Sequence, residues 1–173
     1  MTTQHSRRNF IRGQLSRPEP PLMRPPGAQL ARFSQLCTGC GDCLRACSEA
    51  IIIRQKGPSG SAVPLVDFSR GPCTFCGACA EACETGALRT DAVPEWPWKA
   101  TIKKGCLSLQ GVSCRACEDA CEPHAITFRL LIGGRAQPDV DQNQCIGCGE
   151  CASVCPTGVI AFELPEASEK ECS

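Results

Sequence analysis

Seventeen cysteines lie in a chain of 173 residues, and all but Cys172 fall into one phrase written four times. It reads Cys37-Thr-Gly-Cys40-Gly-Asp-Cys43-Leu-Arg-Ala-Cys47, then Cys73-Thr-Phe-Cys76-Gly-Ala-Cys79-Ala-Glu-Ala-Cys83. A stretched third copy places Cys106, Cys114, Cys117 and Cys121, with a first gap from Leu107 to Ser113. The fourth is Cys145-Ile-Gly-Cys148-Gly-Glu-Cys151-Ala-Ser-Val-Cys155-Pro156. Three chemistries compete for so many thiols. Disulfide frameworks belong to oxidising compartments, and no cleavable leader is expected at the start of this chain. Zinc takes separated pairs that close one tetrahedral site, whereas these runs pack more thiolates together than one zinc arranges well. The run C-x2-C-x2-C-x3-C, above all with a proline after it, is the bacterial signature for 4Fe-4S clusters, in which the fourth cysteine ligates the other cluster of a pair. The spacing therefore predicts iron-sulfur binding.

Three cysteines two residues apart let a loop curl round one cluster and supply three thiolates. Gly41, Gly77 and Gly149 tolerate unusual φ there and bring backbone N–H groups towards the sulfurs. The fourth cysteine follows the third by one helical turn and so points away from its own loop. Pairing each motif with its neighbour puts Cys37, Cys40, Cys43 and Cys83 on one cluster and Cys73, Cys76, Cys79 and Cys47 on a second. The same rule assigns Cys106, Cys114, Cys117 and Cys155 to a third, and Cys145, Cys148, Cys151 and Cys121 to a fourth. In the third motif Arg115 stands where the others have glycine. One reading leaves that motif empty and the count at three. Loop closure grows only slowly in cost with length, and the expectation is four clusters.

Elements must hold these loops in place. The fourth cysteines recur at 47, 83, 121 and 155, each followed five residues on by an aliphatic: Ile52, Leu88, Ile126 and Ile160. This is one unit repeated four times: a cysteine loop, a short helical turn and a strand with one buried face. The fold class expected is α+β, tandem two-cluster modules of short helices and small antiparallel hairpins held together by iron-sulfur clusters. The divisions expected are an extended N-terminal arm over 1–30, a first module over 31–90, a Pro/Trp linker over 91–105, a second module over 106–165 and a tail over 166–173. Residues 54–64 and Gly133-Gly134 read as turns between strands, and Val66-Asp67 and Val140-Asp141 as short strand entries.

Composition agrees with a stapled fold. Lys+Arg and Asp+Glu number 18 each, so no overall field points to nucleic acid or a membrane surface. The chain has no Tyr, 6 Phe and 2 Trp, a thin core for its length, and thin cores need staples. No apolar run approaches the roughly 18 residues of a membrane span. Among the leftovers, Trp96 and Trp98 read as packed indoles shielding a cluster, and His124 as a surface or packing residue. Cys172 reads as a free thiol on the tail. No catalytic triad, carboxylate pair, phosphate loop or dinucleotide fingerprint stands out, and the chain is expected not to be an enzyme.

The start, Ser6-Arg7-Arg8-Asn9-Phe10-Ile11, has the look of a twin-arginine export tag, yet Arg12 to Gly27 contains no apolar h-region. With the Arg24-Pro25-Pro26 segment, two regular motifs, a stretched third ending Cys121-Glu-Pro123 and a fourth ending Cys155-Pro156, the chain resembles the NapF family, ferredoxin-type proteins of the periplasmic nitrate reductase system. The resemblance covers nearly the whole chain. It implies a cytoplasmic iron-sulfur protein that binds the catalytic subunit, NapA, before export and assists the loading of its 4Fe-4S cluster. A plain multi-cluster electron carrier between a donor and a reductase is the alternative. The non-cluster arm favours the accessory role, since a simple wire does not need one. Ser6 to Ile11 is then expected to remain uncleaved.

Overall fold

A computed structural model of the chain describes residues 22–56 and 62–165. The tag-like stretch Ser6 to Ile11 and Cys172 lie outside them. Each cysteine motif builds the same short piece of structure. A loop carrying the first two cysteines ends in a helix of one turn: α2 (Asp42–Ala46), α3 (Ala78–Glu81), α4 (Ala116–Asp119) and α5 (Glu150–Ser153), preceded by α1 (Phe33–Leu36). The glycines before α2, α3 and α5 have φ of 87°, 81° and 86°, the left-handed region in which a Cβ is costly. Arg115, before α4, has φ −135°. The stretched first gap thus enters its helix through a residue of negative φ, a route that needs no glycine.

After each fourth cysteine the backbone turns by a rule that the sequence conceals. The third residue on has positive φ every time: Ala50 (53°), Gly86 (68°), His124 (52°) and Gly158 (60°). In each, that residue's N–H donates to the carbonyl of the fourth cysteine, at 3.1, 3.2, 2.9 and 3.2 Å. The turn throws the chain outward into a strand, and this accounts for the conformation of His124, which is exposed.

Among the described residues the strands form three two-stranded antiparallel sheets. β1 (Ile52–Lys56) pairs with β2 (Ala62–Val66), β4 (Ile126–Leu130) with β5 (Ala136–Val140), and β3 (Lys99–Ile102) with β6 (Ile160–Glu163). The expected short helices and hairpins are present, with four departures. Residues 54–56 and 62–64, read as turn, belong to strands. Val66 and Val140 end their strands rather than open them. The linker expected over 91–105 holds a 3-10 turn, Thr90–Glu95, and then β3, which closes against the last strand. The arm expected over 1–30 is a packed part of the fold from Met23 to Gln29. Pro25 is among the most fully buried side chains, and the Val66 N–H donates to the Met23 carbonyl at 2.9 Å. The Arg24 guanidinium donates to the Pro64 carbonyl at 3.0 Å and lies over the Phe33 ring.

This last segment does for the first half what β3 does for the second. Ala28 bridges Leu88, with the Gln29 N–H on the Ala87 carbonyl and the Arg89 N–H on the Gly27 carbonyl, at 3.0 and 2.9 Å. Proline has no N–H to give a ladder. With Pro25 and Pro26 preceding it, the contact stops at one bridge, and Leu88 opens no strand of its own.

Two cores result. One gathers Phe33, Ile51, Ile52, Phe68, Leu88 and Trp98 among others, and the second gathers Ala100, Ala125, Ile126 and buried cysteines. Phe162 packs against both.

Candidate metal centres

Four cavities interrupt these cores, each lined by four of the predicted cysteines. Site I has Cys37, Cys40, Cys43 and Cys83. Site II has Cys47, Cys73, Cys76 and Cys79. Site III has Cys106, Cys114, Cys117 and Cys155, and site IV has Cys121, Cys145, Cys148 and Cys151. Their volumes, mouths included, are about 420, 390, 340 and 320 Å³. Every set takes three thiols from one motif and its last from the neighbouring motif. The one-turn helices bring this about. Cys43 lines site I and Cys47, at the end of the same turn, lines site II; Cys79 and Cys83 return the exchange in the other direction. A turn of four residues rises about 6 Å, so each helix carries ligands for two adjacent sites.

The donor sets suit a polynuclear iron-sulfur group. Around each cavity stand four thiols with aliphatic and aromatic walls, such as Phe33, Leu44 and Leu88 in site I or Ile102, Phe128 and Ile160 in site III. Among the described residues no group of three or more His, Cys, Asp or Glu is placed to hold a single metal ion. The thiols ring a space instead of converging on a point, as a cube with iron at its corners requires and a lone zinc does not. In site III the stretched loop still delivers Cys106 and Cys114: a 3-10 turn, Ser108–Gln110, compacts the excursion, and Leu107 lines the cavity.

Electrostatics of the thiols follow from burial. Burial pushes Cys43, Cys73 and Cys117 up to about 11 and Cys79 and Cys151 up to about 12. Neighbouring thiols of the same cavity, Cys37, Cys40 and Cys83 around Cys43 for instance, push in the same direction. Cys83 and Cys155 go the other way. Burial opposes their ionisation, but the hydroxyls of Thr85 and Thr157 and nearby backbone N–H groups outweigh it and lower both. The hydroxyl contacts are 3.5 Å and 3.6 Å. Backbone donors reach other sulfurs: the Leu88 N–H that of Cys83 at 3.4 Å, the Ala125 N–H that of Cys121 at 3.3 Å, and the Ala100 N–H that of Cys145 at 3.4 Å. Such donors stabilise thiolate and tune a cluster's potential.

Residues beyond the cysteines were harder to find. Thr85 and Thr157 share a readable signal, a threonine two residues after the fourth cysteine, present in the second and fourth motifs and absent from the other two. The Ala100 donor carries none, being backbone in a segment read as linker. Both tryptophans are buried. Trp96 sets its ring against Phe75 of site II at 5.6 Å and against Phe68 at 6.0 Å. Trp98 packs in the first core, its Nε1–H without a partner among the described residues.

Comparison with known proteins gives the same grouping. The 4Fe-4S dicluster domain family matches residues 36–87 and 112–159, its second match starting after Cys106. The chain is similar to the ferredoxin-type protein NapF of Escherichia coli strain K12, 36% identical over 94% of this chain and 96% of that protein. Similarity to NapF of Haemophilus influenzae is 38% over 90% of this chain and 92% of the relative. The ferredoxin-type protein NapG of E. coli is 29% identical over 84% of this chain and 71% of its own length.

Proposed function

Because the chain belongs to the 4Fe-4S dicluster family and, within it, to the NapF ferredoxin-type proteins, we propose that it serves the periplasmic nitrate reductase system from the cytoplasm. It binds the catalytic subunit, NapA, before export and assists the loading of that subunit's 4Fe-4S cluster, without being an enzyme itself. The likeness along nearly the full length, arm and stretched motif included, carries this reading. Sixteen thiols meant for clusters also suit a reducing compartment. An anaerobic pull-down from cells expressing the nitrate reductase operon tests it: NapA is captured, and NapA from cells lacking this chain is short of iron. Failure to capture NapA, or full iron in NapA made without the chain, sinks the proposal. Recovery of the chain from the periplasm with its N-terminus removed sinks the cytoplasmic part.

Assistance takes one of two forms, handing over iron-sulfur units or supplying electrons. Burial favours electrons, as in the second reading of the chain as a multi-cluster carrier. Cys43, Cys79, Cys106, Cys117, Cys145 and Cys151 are all buried, so the groups they would hold fill the cores of the fold. Giving one away leaves a void among unpaired thiols, and voids of that size cost several kcal/mol. Iron and acid-labile sulfide before and after incubation with metal-free NapA separate the two: a constant count fits an electron donor, a falling one a cluster donor.

A further inference from the structure

The two pairs of sites are not independent. Sites I and II share helices α2 and α3, and sites III and IV share α4 and α5, as motif pairing demands. Nothing in the motifs demands a link between the pairs, yet one is present. The Cys73 N–H of site II donates to the Cys148 carbonyl of site IV at 2.7 Å, a short, direct bond between the cysteine loops of the two halves. Around it the halves are braced by rings. Phe68 lies against Phe162 of β6 with centroids 4.7 Å apart. It sits so close over the site IV loop that a Cβ at Gly149 would stand 2.1 Å from its Cδ1. The former linker clamps the same junction. Trp96 rests on Phe75 in the site II loop, and four residues on Ala100 gives its N–H to Cys145 of site IV. Lys99 between them donates from Nζ to the Cys145 carbonyl.

We propose that the Cys73–Cys148 hydrogen bond, braced by Phe68, Phe162 and the Trp96–Ala100 segment, is a built junction that joins the four sites into one series. The order is I, II, IV, III, with the inner sites II and IV coupled across the halves. A backbone bond between ligand residues gives a direct covalent and hydrogen-bonded route from one site to the other, and electronic interaction falls off steeply with distance. The outer sites I and III are then the two ends of the series. The inference rests on the sites being loaded as read above, but not on what the protein binds.

Its test uses the full chain, purified anaerobically, with iron and sulfide counted on the same sample. Hydrogen exchange reads the junction at the Cys73 amide. EPR of the dithionite-reduced protein reads spin coupling between sites. In the unaltered chain the Cys73 amide is protected and coupling exceeds that of two isolated pairs. Phe68→Leu, which removes the ring over Gly149, speeds exchange at Cys73 by about tenfold and abolishes the added coupling, leaving the coupling within each pair and the iron count unchanged. If Phe68→Leu lowers the iron count, Phe162→Leu thins the same contact from the other half and gives the reading. A Cys73 amide that exchanges freely in the loaded chain overturns the junction, as does added coupling that survives both substitutions. Missing iron in the unaltered chain would instead overturn the reading of the sites, so the two failures are told apart.

Discussion

The fourth cysteines are where single residues decide most. Cys83 and Cys155 each accept from a threonine hydroxyl two residues on, whereas Cys47 and Cys121 have Glu49 and Pro123 at that place. A hydrogen bond to ligand sulfur favours the more negative, reduced form of a cluster and raises its potential. Thr85→Val is therefore expected to lower the midpoint of site I, and Thr157→Val that of site III, each with iron content unchanged. A potentiometric titration followed by EPR checks this, and an unmoved midpoint refutes the role given to the hydroxyl. Site III carries the second residue-scale prediction. Replacing both Cys106 and Cys114 by Ala removes two of its four thiols and lowers iron from about 16 to about 12 per chain; a count of about 12 both before and after the substitution means the stretched motif holds nothing, and one that stays at about 16 means these two thiols are not ligands. The cysteine sets were legible in the sequence because thiol spacing is covalent and one helical turn fixes where the last ligand points. The hydroxyl and N–H donors were not, because their partners are set by turns whose φ the sequence does not display.

Those turns are the element-scale feature. Each unit needs a left-handed residue three positions after its fourth cysteine, and the sequence supplies Gly86 and Gly158 but Ala50 and His124. A side chain there costs roughly 1–2 kcal/mol, offset in part by the ~0.5–1 kcal/mol of extra freedom that glycine has unfolded. His124→Gly should then leave stability unchanged or raise it by up to about 1.5 kcal/mol, measured by thermal unfolding of the loaded protein. A clear loss would assign the imidazole a packing role. Glycines in the cysteine loops separate two causes. At Gly77 a Cβ meets nothing within 4 Å, so Gly77→Ala costs only the left-handed strain, about 1–2 kcal/mol. At Gly147 a Cβ stands 2.1 Å from the Trp98 carbonyl oxygen, backbone that cannot swing aside. Gly147→Ala is expected to cost about 1–3 kcal/mol more and to shed iron from site IV first. Equal losses at the two positions would show that the approach of Trp98 does not constrain the loop. None of this close approach was readable from the motif, since its partner lies in a segment distant along the chain.

At the scale of the whole molecule, each half is closed by a segment that precedes its first cysteine motif: Met23 to Gln29 for the first half, β3 for the second. In the sequence the first reads as part of an extended arm and the second as part of a linker. Pro25 and Pro26 look like an extended arm, and Lys99–Ile102 is too short to announce a strand whose partner, β6, lies some 60 residues on, as the Lys103–Glu163 ion pair beside it marks. Truncation can separate the tag-like stretch from the closing segment, Met23 to Gln29. Deleting 1–21 removes the tag-like stretch and the residues flanking it while sparing Met23 to Gln29, and should leave iron at about 16 per chain, so that any loss of NapA capture is charged to residues 1–21. Deleting 1–29 also removes the Ala28–Leu88 bridge, the Met23 carbonyl under Val66 and the Arg24 bond to Pro64. Leu88 lines site I and gives its N–H to the Cys83 sulfur, so site I loosens first and iron falls by about four or more. A chain lacking 1–29 that keeps all its iron would show that the segment decorates the first half without closing it. Loss of iron on deleting 1–21 alone would place the closing contacts further upstream.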